Sequence, residues 1–196
     1  IVDCQILDNI HTSGYRTTWG AGIYADGGNI LIRNCLVAGN IGKDHGAGIY
    51  GGTVENCTVV KNRSRLATSL GGGVYNSTVI NSVVVDNETG SGSDLNYGGS
   101  ASFTYSCADP LPAGTGNISV QGFVDAASTN YQLLAGAAVD GGLDAAWMTG
   151  AIDLIGNPRL NGPVDMGAYE KVPGALECGF GADVTAIEVG DEVVFT

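Results

Sequence analysis

The sequence predicts an all-β fold: a right-handed parallel β-helix, a solenoid whose coils stack along one axis. Three observations predict it. A Gly-x-Gly-Ile/Val-Tyr phrase recurs as Gly20 to Tyr24, Gly46 to Tyr50 and Gly71 to Tyr75, at offsets of 26 and 25 residues. A second phrase sets an aliphatic residue three places before an asparagine: Ile6 and Asn9, Val37 and Asn40, Val59 and Asn62, Val84 and Asn87. Between the two phrases, residue type is constant at every other position, which is the periodicity of strands and not of helices.

The columns justify each element in turn. Ile1, Ile32, Val54 and Val79 are always apolar, as are Ile6, Val37, Val59 and Val84. Cys4, Cys35, Cys57 and Ser82 form a small, weakly polar column between them. The neighbours Gln5, Leu36, Thr58 and Val83 vary, which places them outside. A coil of 22 to 25 residues is too short for a propeller blade, which needs about 40. Stacked coils solve the pattern by setting like on like at roughly 4.8 Å. The closing asparagines then form a ladder, each at a turn that tolerates left-handed backbone. Asp3, Asn34, Asn56 and Asn81 make a second polar column at the bend between two inward positions. Both columns read as turn chemistry and not as ligands.

The paired phrases resemble the repeat of chlamydial polymorphic outer membrane proteins, with Val or Ile where that repeat carries Phe. The resemblance covers the first half of the chain and implies a β-helix. After Asn87 the clean repeat decays. Residues 88–102 read as a Gly- and Ser-rich loop, and 103–107 as the strand of an imperfect coil. Gly116 to Ile118 and Phe123 to Asp125 read as one coil more. Then come Tyr131-x-Leu133, a small-residue run to Asp140-Gly141-Gly142, Asp153-x-x-Gly156-x-Pro158-Arg159, and Asp165-x-Gly167-Ala168-Tyr169-Glu170. This ordered series resembles the C-terminal end of bacterial secreted β-helix proteins of the choice-of-anchor type. It implies an exported, often multidomain protein at a bacterial surface, with these segments capping the last coil.

The domain reading is therefore residues 1–172 as a β-helix, with regular coils over 1–87 and irregular coils and cap over 88–172. Residues 173–196 read as a linker and alternating strands. They resemble the opening of an immunoglobulin-like domain of the polycystic-kidney-disease type, or serve as extra packing strands.

Charge narrows the partners. With 8 Lys and Arg against 20 Asp and Glu, the net charge is −12, which argues against nucleic acid and anionic membranes. No run of 18 apolar residues exists, so no segment is expected to insert in a membrane. Cys4, Cys35 and Cys57 share an inward column whose parallel side chains suit a disulfide poorly, so they read as reduced, buried thiols. Cys107 and Cys178 lie outside that column, and their pairing stays open. His11 and His45 sit in turns with no metal-ligand spacing around them, and no metal or cofactor is expected.

A polysaccharide lyase or glycoside hydrolase needs a base or paired carboxylates. Lys43-Asp44-His45 is the one place where base and carboxylate adjoin, and it reads as a solvated loop. No catalytic residue is assigned. An enzyme whose catalytic groups lie partly outside this chain is one alternative, and a filament of coils stacked end to end is another. The leading candidate site is aromatic. Tyr24, Tyr50 and Tyr75 follow inward Ile23, Ile49 and Val74, so they should face outward with Trp19 nearby. The expectation is a non-catalytic module of a secreted or cell-surface protein, a stalk, adhesin or glycan-binding surface. Its partners would be a polysaccharide or cell-surface glycan and further domains of a longer chain.

Overall fold

A computed structural model describes residues 1–11, 18–27, 29–92, 95–119 and 122–172. The linker and strands expected over 173–196, and Cys178, lie outside these residues. The described part is all β apart from two single-turn 3-10 helices, and its main body is a parallel β-solenoid.

Each coil contributes one strand to each of three parallel sheets. The tyrosine sheet holds Ile23–Ala25, Ile49–Gly51, Val74–Tyr75 and Tyr97–Gly98. The middle sheet holds Leu31–Arg33, Thr53–Glu55, Thr78–Ile80 and Ser102–Thr104. The flank sheet holds Gln5–Leu7, Leu36–Ala38, Thr58–Val60, Val83–Val85 and Cys107–Ala108. The expected columns are the observed registers: Ile6 pairs with Val37, Val37 with Val59, and Val59 with Val84. Ile32, Val54 and Val79 stack likewise, with Phe103 closing the column.

Cys35 and Cys57 are fully buried in the same core, and Cys4, Cys35, Cys57 and Cys107 are free thiols. Hydrogen bonding from Cys57 holds the Cys35 thiol at about 7, while burial pushes Cys57 well up. Farther along the same column hydroxyls take over. The Ser82 Oγ accepts from the Cys57 backbone N–H at 3.0 Å, and the Ser106 Oγ accepts from that of Ser82 at 3.0 Å. Burial raises Cys107 to about 12.

The asparagine ladder is internal. Asn40 Nδ2 donates to Asn62 Oδ1 at 2.8 Å, Asn62 to Asn87 at 2.9 Å, and Asn87 to Asn96 at 3.0 Å. Each amide also donates to a carbonyl of the neighbouring coil, so these polar groups are buried without being left unpaired. The left-handed residue was expected to be the asparagine itself. It is the residue before: Asp8, Gly39, Lys61 and Asp86, with φ of 52°, 68°, 57° and 54°. The bend turns there so that the following amide points inward.

The ladder explains a glycine in the other phrase. A Cβ on Gly22, Gly48 or Gly73 would lie 3.0, 2.9 and 2.7 Å from the Nδ2 of Asn40, Asn62 and Asn87. In the next coil Asn96 takes the register of that glycine, and its own amide supplies the last rung.

The C-terminal half departs from the expected stacking. Ile118 does form a parallel bridge to Cys107, as one more partial rung. Phe123–Asp125 instead pairs antiparallel with Asn130–Leu133, around a 3-10 turn at Ala126–Ser128 that Asp125 caps by accepting from the Ser128 N–H. From there to residue 172 the chain forms a strap along the side of the coils, not a lid over the last one. Tyr131, Ala168 and Tyr169 pack on Leu36, Ala38 and Val60, while Leu133, Ala138 and Met166 pack on Val83, Val85 and Cys107. The outward residues of the flank sheet are therefore buried as well as the inward ones.

The second polar column is the rail on which the strap docks. Its asparagines, unlike those of the ladder, are themselves left-handed, with φ of 52°, 48° and 48° at Asn34, Asn56 and Asn81. Asn34 donates to the Ile152 carbonyl at 2.9 Å, and Asn81 exchanges two 2.8 Å bonds with Leu143. Arg159, fully buried, bonds Glu170 Oε1 at 2.7 Å, the Asn34 side chain, and the Asn56 and Gly167 carbonyls. Burial nevertheless raises Glu170 to about 8, against the pull of Arg159. On the middle sheet, Trp147 donates to Glu55 at 2.8 Å and lies 4.2 Å under the Arg33 guanidinium.

Candidate functional site

The tyrosine sheet carries the candidate site. Strand alternation buries Ile23, Ile49 and Val74 and turns Tyr24, Tyr50 and Tyr75 outward, in register. Their ring centroids are 5.3 and 5.6 Å apart, with planes within 23° of parallel. Coplanar rings would clash at that spacing, so the rings overlap as offset stacks, each sheltering part of its neighbour's face. Tyr24, the first rung, is 52% exposed, and Tyr50 and Tyr75 are half-buried.

A second file of side chains lies beside the tyrosines. Trp19, His45 and Leu70 each stand five residues before a tyrosine and reach the next coil. Trp19 stacks on Tyr50 at 4.9 Å and 9°, with Tyr24 at 6.3 Å. His45 stacks on Tyr75 at 4.5 Å. Leu70 stands over Gly98, where a Cβ would meet it at 2.7 Å. The backbone holds these side chains in place. The Thr18 N–H donates to Asp44 Oδ2 at 3.0 Å, and His45 Nδ1 accepts from the Leu70 N–H at 2.8 Å. All four residues expected at the site, Trp19, Tyr24, Tyr50 and Tyr75, thus meet in one stack.

This arrangement shifts the accessible part of the stack toward its first coil. Tyr50, the middle rung, is overlaid by Trp19 and flanked by both other tyrosines. Trp19 is 39% exposed, and with Tyr24 it borders a recess of about 570 Å³. Asn9, His11 and Thr18 give that recess a polar wall. His11 Nδ1 is buried there with no hydrogen-bond partner among the described residues. The Tyr24 hydroxyl donates to Asp26 Oδ2 at 2.7 Å, a bond that raises the phenol, so the exposed edge also carries a carboxylate.

No protein-family model, curated protein or solved structure matches the chain. The site is read from its geometry alone.

The Lys43-Asp44-His45 stretch is not a solvated loop. Asp44 is 8% exposed and bonded to the Thr18 backbone, and His45 is committed to Leu70 and Tyr75. Among the described residues, no group of three or more His, Cys, Asp or Glu could hold a metal ion. Trp19 was expected at the stack, but its place in a file with His45 and Leu70 was missed by sequence reasoning. Its signal was the common five-residue offset of Trp19, His45 and Leu70 from the tyrosines.

Proposed function

We propose that this chain is a non-catalytic glycan-binding module of an exported, cell-surface protein. The observation that carries the reading is the exposed end of the aromatic stack, Trp19 and Tyr24, beside a recess with an unpartnered buried nitrogen. Aromatic faces hold the apolar faces of sugar rings, and hydroxyls supply what the recess lacks: donors for His11 Nδ1 and acceptors for its polar wall. The chain's net charge of −12 and Asp26 at the edge of the stack favour a neutral glycan over an acidic one. The resemblance of the repeat and of the C-terminal series to bacterial surface and secreted β-helix proteins supports the placement. No helix among the described residues is long and apolar enough to cross a membrane.

Titration of neutral oligosaccharides, followed by indole fluorescence and calorimetry, tests the reading. The expected result is weak binding, lost in Trp19→Ala and reduced in Tyr24→Ala, with no new reducing ends after prolonged incubation. No binding across a neutral glycan panel would remove the reading. Release of oligosaccharides would replace it with a polysaccharide-cleaving one.

A further inference from the structure

A second cavity lies on another side of the molecule, between the flank sheet and the strap, with a volume of about 460 Å³. Its floor is Leu36 and Ala38 of the flank sheet. Tyr131 and Tyr169 line it from the strap, and they are 4% and 7% exposed. Their rings are consumed by packing on Leu36, Ala38 and Val60. Their hydroxyls are not. Neither has a hydrogen-bond partner among the described residues, and neither is among the buried unpartnered atoms, so solvent reaches both beside the cavity. Two tyrosines with packed rings and solvated hydroxyls beside one space offer a ligand two hydrogen bonds in exchange for water.

The rim sets the charge of that occupant. Asp8, Gly39 and Lys61 are successive members of the left-handed bend column, and all three border the cavity. The Asp8 side chain lies over Gly39, where an added Cβ would run into its Oδ1. Lys61 is already engaged by Asp86 at 3.1 Å. Asp8 has no ion-pair partner among the described residues, so its charge is the uncompensated one. Burial raises both phenols; at Tyr131 Lys61 opposes the rise, and Asp8 and Asp86 add to it. The phenols therefore stay neutral donors and acceptors and do not become anions.

We propose that this cavity is a second binding site, distinct from the aromatic stack, and that it takes a pyranose ring bearing an amino group. One face of such a ring is apolar and suits Leu36 and Ala38. Its hydroxyls pair with Tyr131 and Tyr169, its ammonium pairs with Asp8, and a volume of a few hundred Å³ is ordinary for such a site. A uronate is disfavoured, because its carboxylate would meet Asp8 on the rim while Lys61 is held by Asp86.

The test is ligand-observed NMR and calorimetry on the intact chain with three disaccharides: one of glucosamine, its N-acetylated form, and one of galacturonic acid. The expected order is glucosamine first, about tenfold or more weaker after acetylation, and no galacturonate binding. Tyr131→Phe and Tyr169→Phe keep the rings and remove only the hydroxyls, so each should weaken binding with an unchanged melting curve. Asp8→Asn should erase the preference for the free amine. Trp19→Ala should leave all of this intact, which separates this site from the stack. The inference falls if no sugar binds, if galacturonate binds as well as glucosamine, if the Tyr→Phe variants bind as before, or if Trp19→Ala abolishes binding.

Discussion

The coils and the strap use opposite ways of burying the same kind of surface. In the coils each residue meets its counterpart one rung away, so hydrogen bonds such as Asn40 to Asn62 and Asn62 to Asn87 span 22 and 25 residues. In the strap, bonds such as Asn81 to Leu143 and Arg159 to Asn34 span 62 and 125 residues, and none repeats. The coils are held by many equivalent contacts, and the strap by a few individual ones. Damage to a coil should therefore travel along the stack, while damage to a clasp should free one segment.

The strongest way to break the contrast is Val59→Asp. It places an unpaired charge at a position that is 0% exposed, and a loss of about 4 kcal/mol or more is expected in denaturant unfolding. All three sheets should go together, and loss confined to one coil would refute the cooperative picture. Arg159→Met comes next. Removing one partner of a buried pair costs about 3 to 5 kcal/mol. Here the loss should be local: proteolysis should cut within 123–172 while the coils stay protected. Simultaneous loss of both would show the strap to be part of the coil core.

Asn62→Ala should cost about 1 to 3 kcal/mol, since the amide and backbone N–H groups of Asn40 lose the acceptor they share. It should lower stability with no proteolytic exposure of the strap, the reverse of Arg159→Met. The smallest effect is pH dependence. The folded-state value of about 8 for Glu170 lies above its ordinary value of 4.5, so the folded state holds that proton more tightly. Its stabilising contribution is full below pH 4.5 and is lost as pH rises toward 8. The melting temperature should drop across that window, and Glu170→Gln should flatten the drop. A slope that persists in the variant would assign it to another group, with Asp165, also raised by burial, the next to substitute.

The same contrast explains what could be read from residues alone. Columns such as Ile6, Val37, Val59 and Val84 were legible because stacking repeats a constraint at fixed spacing, and repetition separates signal from chance. The strap's place was not, because Arg159 and Asn34 meet once, 125 residues apart. One trace of it was present. The flank strands run Leu-Val-Ala, Thr-Val-Val and Val-Val-Val, without the polar alternation of a sheet facing water, and such runs mark a sheet covered on both sides. The aromatic stack was legible as a column of tyrosines. Trp19 was placed near it, but that His45 and Leu70 would continue the same file was not legible, since loop side chains obey no strand alternation.

The strap's grip has one further consequence. A duplicate of residues 63–87 would add a coil with every ladder donor and acceptor in place, so nothing in the stack itself sets how long the solenoid can grow. The strap does. Ile152 and Arg159 hold the coil of Asn34, Arg159 and Asp165 hold that of Asn56, and Leu143 holds that of Asn81. An inserted rung would push one of these handholds roughly 4.8 Å beyond reach. The strap thus works as a gauge against which the number of coils is measured, and a longer molecule would need a longer gauge.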